Sequence, residues 1–193
     1  SVSIVEICKL FNISLPLIQS PMAGAQDSEL CIAVSKAGGL GSLPCAMLST
    51  EKIESEVALI REKTDKPFSL NFFCHNKRAF SETKEHIWRQ KLSPYYKELD
   101  IESPKILASG GREPFGQESL DLIKRLKPLV VSFHFGLPEA TLWHQVKNAN
   151  VTTMSSATTL DEAVWLASQG VDVIIAQGLE AGGHRGHFLS HDL

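Results

Sequence analysis

An α/β fold built on a parallel sheet is what this sequence predicts, and three observations predict it. Short apolar runs alternate with amphipathic segments six times along the 193 residues, the rhythm of parallel strands joined by helical crossovers. The last run, within Val171–Ala176, is short and β-branched at Val171, Val173, Ile174 and Ile175, as expected of a strand buried on both faces. Polar or glycine-rich residues follow strand after strand: Met22-Ala23-Gly24, Asn71, His134, and Gln177 with His184. Contributions from many strand ends to one face are how a (β/α)8, or TIM, barrel builds its site. The turn MAGAQD after the first run lacks the glycine fingerprint of a dinucleotide-binding sheet, so the barrel is favoured over an open doubly wound sheet.

Each element has its own signal. Residues 3–14 read as a short helix leading into Pro16. Leu17–Met22 (LIQSPM) is the first strand, closed by Pro21. Glu29–Lys36 is a helix stopped by Gly38-Gly39, and Leu40–Leu43 the second strand. Thr50 is placed to cap a helix with Ile53, Val57 and Ile60 on one face. Phe68–Phe73 (FSLNFF) is the third strand. Residues 75–128 then break the rhythm as a surface excursion between the third and fourth strands, with helices at Ser81–Gln90 and Glu118–Leu126 and a Pro- and Gly-rich stretch over the surface from Ser93 to Phe115. Leu129–His134 is the fourth strand, Glu139–Asn148 a helix, Val151–Ala157 the fifth strand. Thr159 caps Leu160–Gln169, where Asp161 and Glu162 favour the helix dipole. Val171–Ala176 is the sixth. Residues 1–193 thus read as a single barrel domain.

Composition narrows the function classes. With 43% apolar and 21% charged residues the chain is ordinary globular protein, and a net charge of −3 without a basic run gives no footprint for nucleic acid. No apolar stretch approaches the roughly 20 residues needed to span a bilayer. Cys8, Cys31, Cys45 and Cys74 show no CxxC pair and no zinc spacing, so no metal site is expected and reduced thiols in the cytoplasm are. Cys74 beside His75 suggests a thiol nucleophile, but neighbours on a strand point to opposite faces.

The densest chemistry lies in Gly170–Gly186, GVDVIIAQGLEAGGHRG. Gln177, Glu180, His184 and Arg185 follow the strand, interleaved with Gly178, Gly182, Gly183 and Gly186. Glycines there let backbone approach a ligand closely. Arg185 and Glu180 read equally as an ion pair bracing the loop.

These residues resemble the nitronate monooxygenase family, FMN-dependent TIM-barrel enzymes. The matching segments are QSPMAG at 19–24, AGGLGS at 37–42, TDKPFSLNFFCH at 64–75, VSFHFGLP at 131–138 and AQGLEAGGHRG at 176–186. The resemblance implies oxidation of alkyl nitronates, and of nitroalkanes, by molecular oxygen to a carbonyl compound and nitrite. It implies FMN lined by the backbone of Pro21, Met22 and Ala23, hydrogen-bonded by Asn71 and Gln177, and approached by Gly182 and Gly183. His184 matches the family's active-site histidine, and His134 would be a substrate-binding group at the pocket wall.

Two alternatives stand beside this reading. Relatives use the same barrel as NAD(P)H-dependent quinone or enoyl-thioester reductases, and a non-catalytic α/β module would bind no flavin. The family's barrel continues past the sixth strand with units that hold the FMN phosphate, so this sequence is expected to carry the flavin-ring side of the site. Exposed sheet edges then predict self-association.

Overall fold

The computed structural model describes residues 4–76, 82–102 and 113–189. Ser3, Ser81, residues 103–112 of the excursion and His191 lie outside the described residues. Five strands, β1 (Gly41–Pro44), β2 (Phe68–Phe73), β3 (Val130–His134), β4 (Thr152–Ala157) and β5 (Val173–Ala176), pair in parallel and in sequence order. A doubly wound sheet reverses its order at a switch point; a sheet in which every strand lies beside its predecessor is wound as a barrel. The helices are α1 (Ile4–Phe11), α2 (Ser28–Lys36), α3 (Thr50–Lys63), α4 (Glu82–Glu98), α5 (Gln117–Leu126), α6 (Ala140–Lys147) and α7 (Leu160–Ser168).

The strand register sorts side chains onto two faces. Leu43, Leu70 and Val131 align across β1, β2 and β3. With Phe68, Phe72 and Phe133 they pack against Ile53, Val57 and Ile60 of α3, Leu120 and Ile123 of α5, and Trp143 and Val146 of α6. Each such burial is worth roughly 1.5–3 kcal/mol, which makes this the main core. On the opposite face Val130 and Met154 pack with Leu40, Phe11 and Ile13, so the end of α1 and the turn after it fill the amino end of the inner surface. Above that plug the inner face carries Asn71, Ser132 and Ser156, then Phe73 beside His134 at the carboxyl ends.

Four expectations are corrected. The first strand, Leu17–Met22, is reduced to a single parallel bridge between Ile18 and Leu40. Leu40 N donates to Leu17 O and Gln19 N to Leu40 O, and there the ladder passes to a side chain: Ser42 N donates to Gln19 Oε1 at 3.0 Å and Gln19 Nε2 to Ser42 O at 3.1 Å. Pro21 has no N–H with which to extend the pairing. Ser49, not Thr50, caps α3: its backbone is still extended while Thr50 is already helical, and its hydroxyl accepts from Lys52 N at 3.2 Å.

The third correction concerns Ser93 to Phe115, where α4 continues through Pro94 to Glu98. A proline removes one intrahelical bond, and Gln90, Lys91 and Leu92 before it are strong helix formers. Residues 76–112 form a compact unit of their own, the rest of the chain another. Finally, β5 starts at Val173 and is not buried on both faces, because it is an edge of the sheet; Ile175 is 39% exposed. Asp172 precedes it and accepts at 2.8 Å from both the backbone N and the hydroxyl of Thr153, aligning β5 on β4.

Candidate active site

The carboxyl ends of β2 and β3 carry an aromatic cluster. The Phe73 ring lies 5.1 Å from Phe135 and 5.8 Å from His184, both edge-on, and Phe135 lies 6.1 Å from His184. Phe135 adopts a left-handed φ of 67°, a conformation that costs a bulky residue on the order of 1–3 kcal/mol and that marks functional turns. The Ser155 hydroxyl holds this turn by donating to Gly136 O at 3.0 Å.

His134 ends β3 with both ring nitrogens engaged. Nδ1 lies 2.6 Å from Ser156 Oγ, and Nε2 lies 2.9 Å from the backbone oxygen of His184. Gln177 Nε2 donates to the same His184 oxygen at 2.9 Å, and Gly186 N donates to Gln177 Oε1 at 2.8 Å. The His184 loop is therefore tied to the ends of β3 and β5. Burial is the main cause that lowers the His134 pKa below its ordinary value, which favours the neutral ring.

The far end of the loop is held by Glu162, which is 1% exposed. Its carboxylate accepts from Thr158 N at 2.7 Å, Thr158 Oγ1 at 2.9 Å, Phe188 N at 2.8 Å and Leu189 N at 3.3 Å. Burial pushes this carboxyl up, but the hydrogen bonds together outweigh it and hold it below the ordinary carboxylate range. Sequence reading takes Glu162 for a dipole residue like Asp161, and nothing in the sequence separates the two. Ser132 and Ser156 are missed as well. Period-two spacing does place Ser132 on the face of His134, a signal that was available.

The remaining expected residues divide. Asn71 is buried on the inner face, and its amide donates to Ser132 Oγ at 2.9 Å. Gly182 and Gly183 are exposed, with nothing within 4 Å of where a Cβ would stand. Pro21, Met22 and Ala23 lie after the bridge, at the opposite edge of the sheet from Gln177, in a turn closed by Ala25 N donating to Met22 O. Among the described residues no hydrogen bond joins them to the His134–Gln177–His184 network, and Glu180 and Arg185 form no ion pair. Burial pushes the Cys74 thiol well above its ordinary pKa, which argues against a thiolate nucleophile. No helix among the described residues is long and apolar enough to cross a membrane, and no cluster there could hold a metal ion.

Comparison with known proteins places this chain in a family. The sequence model of nitronate monooxygenase matches residues 5–192. Nitronate monooxygenase of Paraburkholderia phytofirmans is 39% identical over 180 residues, 93% of this chain and 49% of the relative. That of Pseudomonas aeruginosa is 36% identical over 184 residues, covering 93% and 52%. The chain spans about half the length of the curated relatives it matches. Nitroalkane oxidase from Streptomyces ansochromogenes superposes with a TM-score of 0.81 at 31% identity, over 97% of this chain and 52% of that one. FabK from Thermotoga maritima, at 23% identity and a TM-score of 0.66 over 94% of this chain and 46% of that one, shares the fold. The match over residues 5–192, at identities of 36 to 39%, shows that this chain belongs to the nitronate monooxygenase family.

Proposed function

We propose that the protein carrying this chain oxidises alkyl nitronates, and nitroalkanes after removal of a proton, to a carbonyl compound and nitrite, with FMN as cofactor and molecular oxygen as oxidant. The observation that carries this reading is the His184 imidazole, set against Phe73 and Phe135 on a glycine-rich loop whose backbone is tied to two strand ends. Membership of the family, and the likeness to a nitroalkane oxidase, support it.

The residues present fit a flavin. The backbone of Gly182 and Gly183 is open to a flat ligand, and the Asn71 and Gln177 amides, each fixed by a neighbour, supply polar groups beside it. Pro21, Met22 and Ala23 would line the ring from the far edge of the sheet. A flavin held there would supply the redox chemistry between the nitronate and oxygen.

The chain's own residues do the rest. Phe73 and Phe135 keep water from one side of the reacting carbon. The His184 imidazole accepts the α-proton of a neutral nitroalkane, the general-base role for which histidine side chains are suited. A nitronate has already lost that proton, and for it His184 orients the anion. His134 closes the pocket wall. The four free thiols fit a reducing, cytoplasmic setting.

The test is to denature the purified protein and take the spectrum of the supernatant, then to follow nitrite from propane-2-nitronate with and without oxygen. Released FMN and oxygen-dependent nitrite are expected. A colourless supernatant, or no nitrite from flavin-loaded protein, contradicts the reading.

A further inference from the structure

We infer that Ser156 and His134 form a tautomer latch that positions the His184 loop: the Ser156 hydroxyl donates to His134 Nδ1, which keeps the ring proton on Nε2, and Nε2–H donates to the His184 carbonyl. The role of His134 is thus positioning. The inference rests on the proposed part of His184 in the reaction.

The argument begins at the carbonyl. A backbone oxygen can only accept, so at 2.9 Å the facing Nε2 must carry hydrogen. In a neutral imidazole Nδ1 is then a lone pair, and it needs a donor. Ser156 Oγ, 2.6 Å away, can turn its hydrogen to it. The opposite tautomer would set the Nε2 lone pair against the carbonyl lone pairs, and the arrangement would lose its bond to the loop. Burial of His134 favours the neutral form, which is the form in which the tautomer matters.

The surroundings make the latch tight. A Cβ on Gly186 would stand 2.4 Å from His134 Cε1 and 2.8 Å from Ser156 Oγ, so the returning loop lies directly on the pair. Gln177, after β5, gives the His184 oxygen its second donor and takes the Gly186 amide on its own oxygen. Groups from the ends of β3, β4 and β5 therefore converge on one short backbone stretch. With both nitrogens spent inside the protein, His134 has none to offer a substrate. Second-layer partners that orient a reacting group in this way are often as important to it as its direct contacts.

Imidazole 15N NMR above the His134 pKa tests the tautomer, and hydrogen exchange at the Gly186 amide tests the loop. The native protein should show the Nε2–H tautomer of His134. Ser156→Ala should give a tautomer mixture and speed Gly186 exchange by about tenfold or more, the size expected for losing one net hydrogen bond. His134→Gln retains a donor able to reach the His184 carbonyl without help from Ser156. In that background Ser156→Ala should leave Gly186 exchange unchanged, a non-additivity that a simple packing role would not produce. In Ser156→Ala with full flavin content, kcat should fall by about tenfold with KM changed less, as expected of lost transition-state alignment. An Nδ1–H tautomer in the native protein, or equal effects of Ser156→Ala in both backgrounds, overturns the latch. Neither spectroscopic readout depends on turnover. A protein that shows the latch and yet oxidises no nitronate would instead overturn the proposed function.

Discussion

The Cβ that Gly186 lacks would stand 2.4 Å from Cε1 of His134, so the close return of the loop onto β3 depends on this residue being glycine. The atoms it would meet are an imidazole carbon and a buried hydroxyl, neither at the end of a flexible chain. Gly186→Ala should destabilise the protein by about 1–3 kcal/mol through overpacking. By pushing the His184 backbone off its hydrogen bonds it should also cut nitroalkane turnover by about a hundredfold, the effect of a misplacement near 1 Å. Gly182→Ala is the contrast, since nothing lies within 4 Å of its Cβ position. Its stability should stay within about 0.5 kcal/mol of the parent while flavin affinity falls. Urea midpoints and flavin titrations separate the two variants.

Glu162 anchors the other end of the loop, and its effect depends on pH. Its folded pKa is held below the ordinary 4.5, so its contribution is full above that value and is lost as pH falls through the folded one. His134, lowered from 6.5, acts in the same direction in a higher window: below 6.5 the unfolded state takes up the proton first. Stability should therefore decline in two stages on acidification. Glu162→Gln should cost roughly 2 kcal/mol at pH 7, the scale of hydrogen bonds to a charged acceptor, and the gap from the parent should narrow well below pH 4.5. Denaturant titrations at several pH values check both; a gap that stays constant with pH contradicts the carboxylate's role.

Burial pushes the Cys31 thiol up to about 12 and Cys45 higher still. Both lie in the core, and Cys74 is shifted the same way by burial. At pH 8 an aromatic disulfide reagent should leave the buried Cys31 and Cys45 unmodified in the native protein and react with all four thiols on unfolding. Labelling followed by mass spectrometry identifies the positions, and rapid native modification of Cys45 would contradict the described core.

Much of this architecture is legible in the sequence because its signals are local. The apolar runs FSLNFF and LVVSFH lie on β2 and β3, and Thr159 caps α7 as its spacing implies, accepting from Glu162 N at 3.2 Å. What sequence reading misses depends on pairing across distance. Gln19 completes the first strand's ladder through its side chain, reaching a residue 23 positions away. Ser156 gains its meaning from His134, 22 positions away, through a register that periodicity does not reveal. Glu162 looks like any first-turn carboxylate until Phe188 and Leu189 turn their amides onto it. The strand-end positions of His134 and Gln177 are readable, and the bonds that hold the loop between them are not.

Paired kinetics on a nitroalkane and its nitronate test the proposed removal of a proton from a neutral nitroalkane by His184. His184→Asn should keep its flavin and lose nitroalkane turnover by about a hundredfold or more, the usual size of a general-base contribution. Nitronate oxidation should fall much less, because that substrate arrives without the proton. If flavin is retained and both rates fall by the same factor, proton abstraction by His184 is contradicted.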